Sequence, residues 1–281
     1  MENVRIVSPF LLRTFDPPID SIKNKIIIKF ERIGKRIVFV FGDELFLVLH
    51  LMIAGRLHWR DKDFKIPAKI GLAAFDFPNG TLLLTEAGTK KRASLHLIKG
   101  ELELSTFDQG GLEIFGASLP DFKRRLLREN HTLKRTLTDP RLFSGIGNAY
   151  SDEILHRAKL SPVKLTQKMT DEQIVKLFQA INETLIEWTE RFRSETGDSF
   201  PEKVTAFRAE MAVHGRFGKA CPTCGTTVQR IRYAENETNY CPKCQTGGKL
   251  LADRSLSRLL KSDWPKNLEE LEERRRNLKL S

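Results

Sequence analysis

The stretch Asp139-Pro140-Arg141-Leu142-Phe143-Ser144-Gly145-Ile146-Gly147-Asn148-Ala149-Tyr150-Ser151-Asp152-Glu153-Ile154-Leu155 reads as a glycine-rich turn running into a helix over Ser151–Ala158. Glycines ahead of a helix let backbone N–H groups approach an anion, and the helix dipole favours negative charge there. Lys134, Arg135 and Arg141 stand just upstream and add basic support. Taken alone, Gly-x-Gly is a common helix start, and Asn148 reads equally as an N-cap or as a phosphate ligand.

Helical periodicity extends on both sides. From Asp121, the apolar residues Phe122, Leu126 and Leu127 share a face while Lys123, Arg124, Arg125 and Arg128 surround it. Thr170 followed three residues later by Gln173 is a capping-box pattern. Behind it Ile174, Leu177, Phe178, Ile181, Leu185, Ile186 and Trp188 recur at helical spacing and are expected in a core. Upstream of Leu119-Pro120 the character is β. Lys25–Phe30, Lys35–Phe41, Glu44–Leu51, Gly71–Phe77 and Thr81–Thr85 are short apolar runs, separated by turns at Gly42-Asp43, Gly55 and Pro78-Asn79-Gly80. Short strands at such spacing predict a sandwich or barrel, and Asn-Gly between two runs predicts a hairpin.

Downstream, Cys221-Pro-Thr-Cys224 and Cys241-Pro-Lys-Cys244 are separated by sixteen residues and use all four cysteines of the chain. Two such knuckles predict a tetrahedral zinc site made of four thiolates. With no open coordination position, its one Zn2+ is structural. Thr226–Tyr233 and Asn239-Tyr240 are expected to form a hairpin that the metal folds. Arg230 and Arg232 alternate along it and read either as phosphate contacts or as solvated strand positions. The 281 residues carry 47 Lys+Arg against 36 Asp+Glu, a net +11 and a pI near 9.5, which points to a polyanion such as nucleic acid. No apolar run is long enough for a membrane span, and Met1-Glu2-Asn3 opens no signal sequence.

These motifs occur in a specific order. Asn130-His-Thr-Leu-Lys134-Arg135, the Gly145–Tyr150 turn, His214-Gly215-Arg216 and the cysteine hairpin resemble the formamidopyrimidine-DNA glycosylase/endonuclease VIII family. Gly34-Lys35-Arg36 and His50-Leu51-Met52-Ile53-Ala54-Gly55 are similar to its sandwich motifs, so the resemblance runs from about residue 26 to 247. It implies a helix–two-turn–helix DNA glycosylase that flips out a damaged base, cleaves its glycosidic bond through an amine–sugar Schiff base, and nicks the strand by elimination. By position, Lys35 matches the lysine near the scissile phosphates and is the candidate catalytic residue. His50 and Asn148 match phosphate contacts. Without the resemblance, Lys35 reads as a solvated strand-end lysine and His50 as a packed histidine. The family's N-terminal Pro-Glu has no match in Met1-Glu2-Asn3; its hairpin arginine appears as Asn236, its wedge methionine as Ile53, and its Arg-Phe pair within Thr89-Lys90-Lys91-Arg92. The proline-bearing activity is therefore expected of a longer form, and abasic-site binding of this one.

The expected architecture is α+β. It comprises a β-sandwich over 1–115, a helical helix–two-turn–helix domain over 120–216, a four-cysteine zinc β-hairpin over 217–249 and a charged helical tail over 250–281. The expected function is base-excision-repair DNA glycosylase with AP lyase activity, set against a non-catalytic zinc-containing DNA-binding protein on the same scaffold. Lys35 is the catalytic candidate. DNA contacts are expected from His50, Lys90, Lys91, Arg92, Lys134, Asn148, Arg230 and Arg232, and zinc ligation from Cys221, Cys224, Cys241 and Cys244. The partner is double-stranded DNA carrying a damaged base or an abasic site, the state a monomer, and the compartment the cytoplasm, or the nucleoid in a bacterium.

Overall fold

The computed structural model describes residues 1–202, 204–233, 236–252, 259 and 263–279. The chain divides into two compact units, Met1–Gln109 with Phe192–Val204, and Gly110–Arg191 with Thr205–Ser281. Among the described residues no helix is long and apolar enough to cross a membrane.

The first unit is an antiparallel sandwich. One sheet has the order β1-β6-β7-β5, from Asn3–Ile6 (β1), Gly55–Arg60 (β5), Gly71–Phe77 (β6) and Gly80–Glu86 (β7). The other has the order β2-β3-β4-β8, from Ile27–Ile33 (β2), Arg36–Phe41 (β3), Leu45–His50 (β4) and Ser94–Lys99 (β8). Strand alternation sends Phe39, Phe41, Leu47, Leu49, Leu95 and Leu97 into the core against Leu72, Phe75, Leu82 and Leu84 of the facing sheet. Phe39 stacks on Phe75 with ring centroids 5.9 Å apart. The intervening residues Val38, Val40, Phe46, Val48 and Ile98 are buried too, beneath Leu104 of the short helix α1, Glu101–Ser105. Burial on both faces explains why β3 and β4 read as unbroken apolar runs. The outer strand β2 is different: Ile28 is 65 % exposed and Phe30 62 %.

Three strands escape a reading by apolar runs. β1 is a short edge, β5 is diluted by Arg56, His58 and Arg60, and β8 by Ser94 and His96. The hairpin expected at Pro78-Asn79-Gly80 joins β6 to β7, with Phe77 opposite Gly80 across two turn residues.

In the second unit α2 (Leu119–Leu126), α3 (Leu133–Thr138), α4 (Asn148–Arg157) and α5 (Asp171–Thr196, through Arg191) surround a core of Phe122, Leu126, Leu133, Leu137, Phe143, Ile154, Leu177 and Ile181. The capping box forms as expected. The Thr170 amide donates to Gln173 Oε1 at 3.2 Å, and the Gln173 amide to Thr170 Oγ1 at 3.3 Å. Ile174, Leu177, Ile181 and Trp188 are buried on α5, but Ile186 is 51 % exposed because its position turns it off that face. β9 (Gln229–Tyr233) and β10 (Asn236–Tyr240) form the hairpin, followed by α6 (Pro242–Thr246). Of the tail, 253–258, 260–262 and 280–281 lie outside the described residues, and α7 spans Leu268–Lys279.

Gly80 has a packing reason. A Cβ there would meet the Trp59 ring at 2.5 Å, and that ring is flanked by Phe77 and Phe200 with centroids 5.7 and 6.5 Å away. Gly80→Ala should destabilise the sandwich by about 1–3 kcal/mol, the range for overpacking, read as a lower urea midpoint with an unchanged m-value.

Candidate functional site

In the second unit the chain reaches α4 through a turn that needs its glycine. Gly145 has φ +79°, a left-handed conformation, whereas Gly147 is extended and serves as the N-cap. Asn148 is thus the first helical residue rather than the cap, and its side chain is free for another task. Its Nδ2 donates to the Glu237 carbonyl of β10 at 3.0 Å. Its own carbonyl accepts from Lys134 Nζ at 2.6 Å and from Ser151 Oγ at 2.9 Å. Asp139 shapes the turn before it, its carboxylate accepting from the Arg141 amide and from Arg141 Nε at 2.9 and 3.0 Å. Paired in this way with the Arg141 guanidinium, the Asp139 carboxyl lies below the ordinary aspartate value.

One turn into α4, Asp152 is fully buried. Its carboxylate accepts from Lys134 Nζ at 2.5 Å, from the Asn239 amide at 3.1 Å and from Asn239 Nδ2 at 3.4 Å, and it contacts His214 Nδ1 at 2.8 Å. Lys134 is therefore not at the surface where a phosphate contact was expected. Its side chain is 13 % exposed and tied to Asp152. Burial pulls its ammonium below the ordinary lysine value, against the opposing pull of Asp152. The next residue, Glu153, gathers the amides of Ala212, Val213 and His214 at 2.7–2.9 Å.

The four cysteines converge. Their sulfurs all lie within 4.8 Å of one another, with Cys224 and Cys241 Sγ 3.4 Å apart. A tetrahedron of ~2.3 Å Zn–S bonds has S···S edges of about 3.8 Å, so this thiolate set fits one zinc ion. Gly225, at φ +74°, closes the first knuckle with its amide on the Cys221 carbonyl at 2.9 Å. In the second knuckle the Cys244 amide points at Cys241 Sγ, 3.5 Å away. Held by Cys221, Cys224, Cys241 and Cys244, the Zn2+ is structural: it crosslinks the two knuckles and leaves no position for a reacting water.

On the hairpin, Arg230 stacks over Phe217 at 4.2 Å and reaches Glu237 Oε2 at 3.3 Å, and Arg232, two residues on along the same strand, is exposed. His156, on the last turn of α4, lies with Nε2 3.3 Å from Cys221 Sγ, and burial lowers it to about 4, with Lys159 and Arg157 adding to the effect. Sequence reading passed over His156, because a histidine near a helix C-terminus is ordinarily a solvated residue.

The first unit carries a separate basic cluster. Lys35 sits in the turn between β2 and β3, and Arg36 pairs across the ladder with His50, which in turn pairs with Ser94. Lys35 reaches solvent, yet partial desolvation by the surrounding protein draws its ammonium below the ordinary lysine value. Neighbouring cations are not the cause, and Arg32 donates to the Gly34 carbonyl at 2.7 Å instead. His50 is half-buried and lowered by desolvation, then by Arg36, Lys35 and His96. His96, also lowered by desolvation and Arg36, packs edge-on to Phe107 at 5.0 Å, and Arg36 lies over the same ring at 5.7 Å. In the 88–92 loop, Lys90 is exposed, while Lys91 donates to the Glu86 carbonyl. The buried Glu86 carboxylate takes the amides of Arg92 and Ala93 at 2.9 and 3.1 Å, which fixes the loop's end.

Comparison with known proteins places these features. Residues 116–197 match the family described as formamidopyrimidine-DNA glycosylase H2TH domain, and residues 218–247 the zinc finger found in FPG and IleRS. A formamidopyrimidine-DNA glycosylase of Ligilactobacillus salivarius is 32 % identical over 238 residues, covering 81 % of this chain and 84 % of that one. An uncharacterized formamidopyrimidine-DNA glycosylase-like protein of Mycobacterium tuberculosis is 40 % identical over 151 residues, 54 % of this chain and 94 % of that one. Among solved structures, Lactococcus lactis Fpg in complex with abasic-site DNA aligns with TM-score 0.74 at 27 % identity, over 86 % of this chain and 91 % of that one. MutM in complex with carbocyclic 8-oxo-G DNA aligns with the same score at 26 % identity, over the same shares of the two chains.

Asp152→Asn should cost about 3–5 kcal/mol, the range for breaking a buried ion pair, because it strands the Lys134 ammonium; urea unfolding followed by tryptophan fluorescence measures it. A second expectation concerns pH. His50 and His96 titrate lower folded than at the ordinary 6.5, so the unfolded chain binds more protons between those values. Their contribution to stability is complete above pH 6.5 and is lost as pH falls below it. His96→Gln should flatten the decline in urea midpoint as pH falls below about 6.5.

Proposed function

Because this chain belongs to the formamidopyrimidine-DNA glycosylase family, we propose that it engages double-stranded DNA at a damaged base or an abasic site, excises the base and cleaves the strand as a lyase. The observation that carries this reading is the joint between helix start and hairpin. Asn148 opens α4 and reaches β10, so the glycine-rich start of the helix and the Arg230–Arg232 strand are held together by a hydrogen bond from its side chain. Such a surface suits a phosphate backbone, through backbone amides and charge rather than base edges. A net charge of +11 gives the long-range attraction.

Within the sandwich we assign Lys35 and His50 to the sugar–phosphate at the lesion, with Lys90, Lys91 and Arg92 contributing positive charge from the loop that leads into β8, whose Ser94 pairs with His50. Lys35 fits the task because its ammonium is partly desolvated, and a phosphate oxygen restores the stabilisation that water no longer gives. The same lowered basicity is what an amine needs to attack a sugar carbon, so Lys35 has two chemically distinct roles open to it. Lys134, tied to Asp152 and to the Asn148 carbonyl, is assigned to position Asn148 from behind. The zinc ion holds the hairpin's shape and takes no part in bond breaking. For a DNA-repair role we assign the chain to the cytoplasm, or to the nucleoid if its source is a bacterium.

Binding to a duplex carrying a stable abasic analogue should weaken steeply with salt. With about five phosphates neutralised, log K against log salt should slope near −4 to −5. Lys35→Ala should lower that slope by about 1, whereas Asn148→Ala should weaken binding at nearly constant slope. A flat salt response would sink the DNA assignment. Borohydride on abasic-site DNA then separates the roles of Lys35. Trapping by the parent that survives Lys35→Ala at saturating protein supports the phosphate role and places the amine elsewhere; complete loss would make Lys35 the amine; no trapping by the parent would leave a DNA-binding protein without the lyase step.

A further inference from the structure

His156 lies where a histidine would ordinarily face solvent, yet it is 5 % exposed, and its Nε2 is 3.3 Å from the sulfur of Cys221. Cys221 is itself 1 % exposed. Zinc held by four thiolates is formally a dianion, and a buried anion is tolerated only when donors surround it. The Cys244 amide approaches Cys241 from within the second knuckle; His156 approaches Cys221 from another element altogether. A metal-bound thiolate carries no proton, so the hydrogen in this contact resides on Nε2 whatever the charge of the ring. Tetrahedral zinc leaves no place for a fifth donor, so the imidazole acts on the ligand and not on the metal. Among the described residues Nδ1 takes no protein partner, and the ring borders a cavity of about 280 Å³ together with Glu153, Lys159, Thr184, Glu210 and Thr223.

We infer that His156 is a positioning residue of the metal centre: its Nε2–H donates to the Cys221 thiolate, withdraws part of the sulfur's charge and couples helix α4 to zinc retention. The inference rests on the zinc reading of the four cysteines. It also explains why α4 grips the hairpin root three times, through Asp152, Glu153 and His156. The first two hold polypeptide, and the third holds a ligand. Outer-shell partners of this kind change metal affinity by roughly 10–100-fold when removed.

The test uses the full zinc-loaded chain. His156→Phe keeps a ring of similar shape and removes the donor. It should release zinc to a chromogenic chelator about tenfold faster than the parent. In the cobalt-substituted protein its thiolate-to-metal charge-transfer band should move to lower energy, because a sulfur without its hydrogen bond is easier to oxidise. Faster release with an unmoved band would reduce His156 to packing and overturn the inference, as would unchanged release. Should His156→Phe not fold, His156→Gln decides. Its amide keeps an N–H donor, so zinc release near the parent's supports the role, and release as fast as from His156→Ala refutes it. A parent chain that holds no zinc would remove the zinc reading itself, an outcome distinct from all of these.

Discussion

A fully buried carboxylate organises the second unit. Asp152 cannot remain charged in the interior unless donors surround it, and it draws them from three places: Lys134 of α3, His214 ahead of the zinc knuckles, and Asn239 of β10. Without it the Lys134 ammonium would be buried with no counter-charge and the Asn239 amide would lose its acceptor, so the cluster is cooperative in a way that a set of apolar contacts is not. Glu153 repeats the device on the backbone of 212–214. Two adjacent acids on one helix thus fix where the hairpin leaves the helical core, and the position of Asn148 follows from that.

The hairpin has a small apolar core. Val213, Val228 and two of the cysteines cluster at the knuckles, with Ile231 and Tyr240 buried on the strands, a modest core for some thirty residues. Coordination supplies the missing free energy, and the acids supply the address. The sandwich is built in the opposite way. Its central strands β3 and β4 are buried on both faces, and its cations are arranged at one end of those two strands.

How far the sequence could be read follows the same physical divide. Local rules found what is local: the capping box at Thr170, the turn at Pro78-Asn79, the knuckles, and the glycine entry to α4. Apolar runs found β3, β4, β6 and β7, because those strands are buried enough to lose their polar alternation. They did not find β5 or β8, where Arg56, His58 and His96 interrupt the run. Lys134 turns inward for a reason the local sequence does not carry. A lysine beside Arg135 in a basic chain looks like surface charge, and only the distant Asp152 reveals that it points inward. His156 and Cys221 are 65 positions apart, a separation at which no spacing rule operates. Pairings of this sort appear once the backbone has brought the partners together.

The strand β2 has a consequence of a different order. It is the outermost strand of its sheet, and Ile28 and Phe30 stand open to water on it. An unpaired apolar edge is a template on which another extended chain can grow. The interruption it carries is Lys29 beside Glu31, an ion pair of 2.5 Å at the surface, and charges so placed act as gatekeepers against intermolecular sheet extension. Surface charges are screened by salt. The ionic strength that loosens this protein's hold on a polyanion therefore also weakens its guard against self-assembly, so colloidal behaviour and ligand affinity are governed by one solution variable acting on opposite edges of the same charge balance.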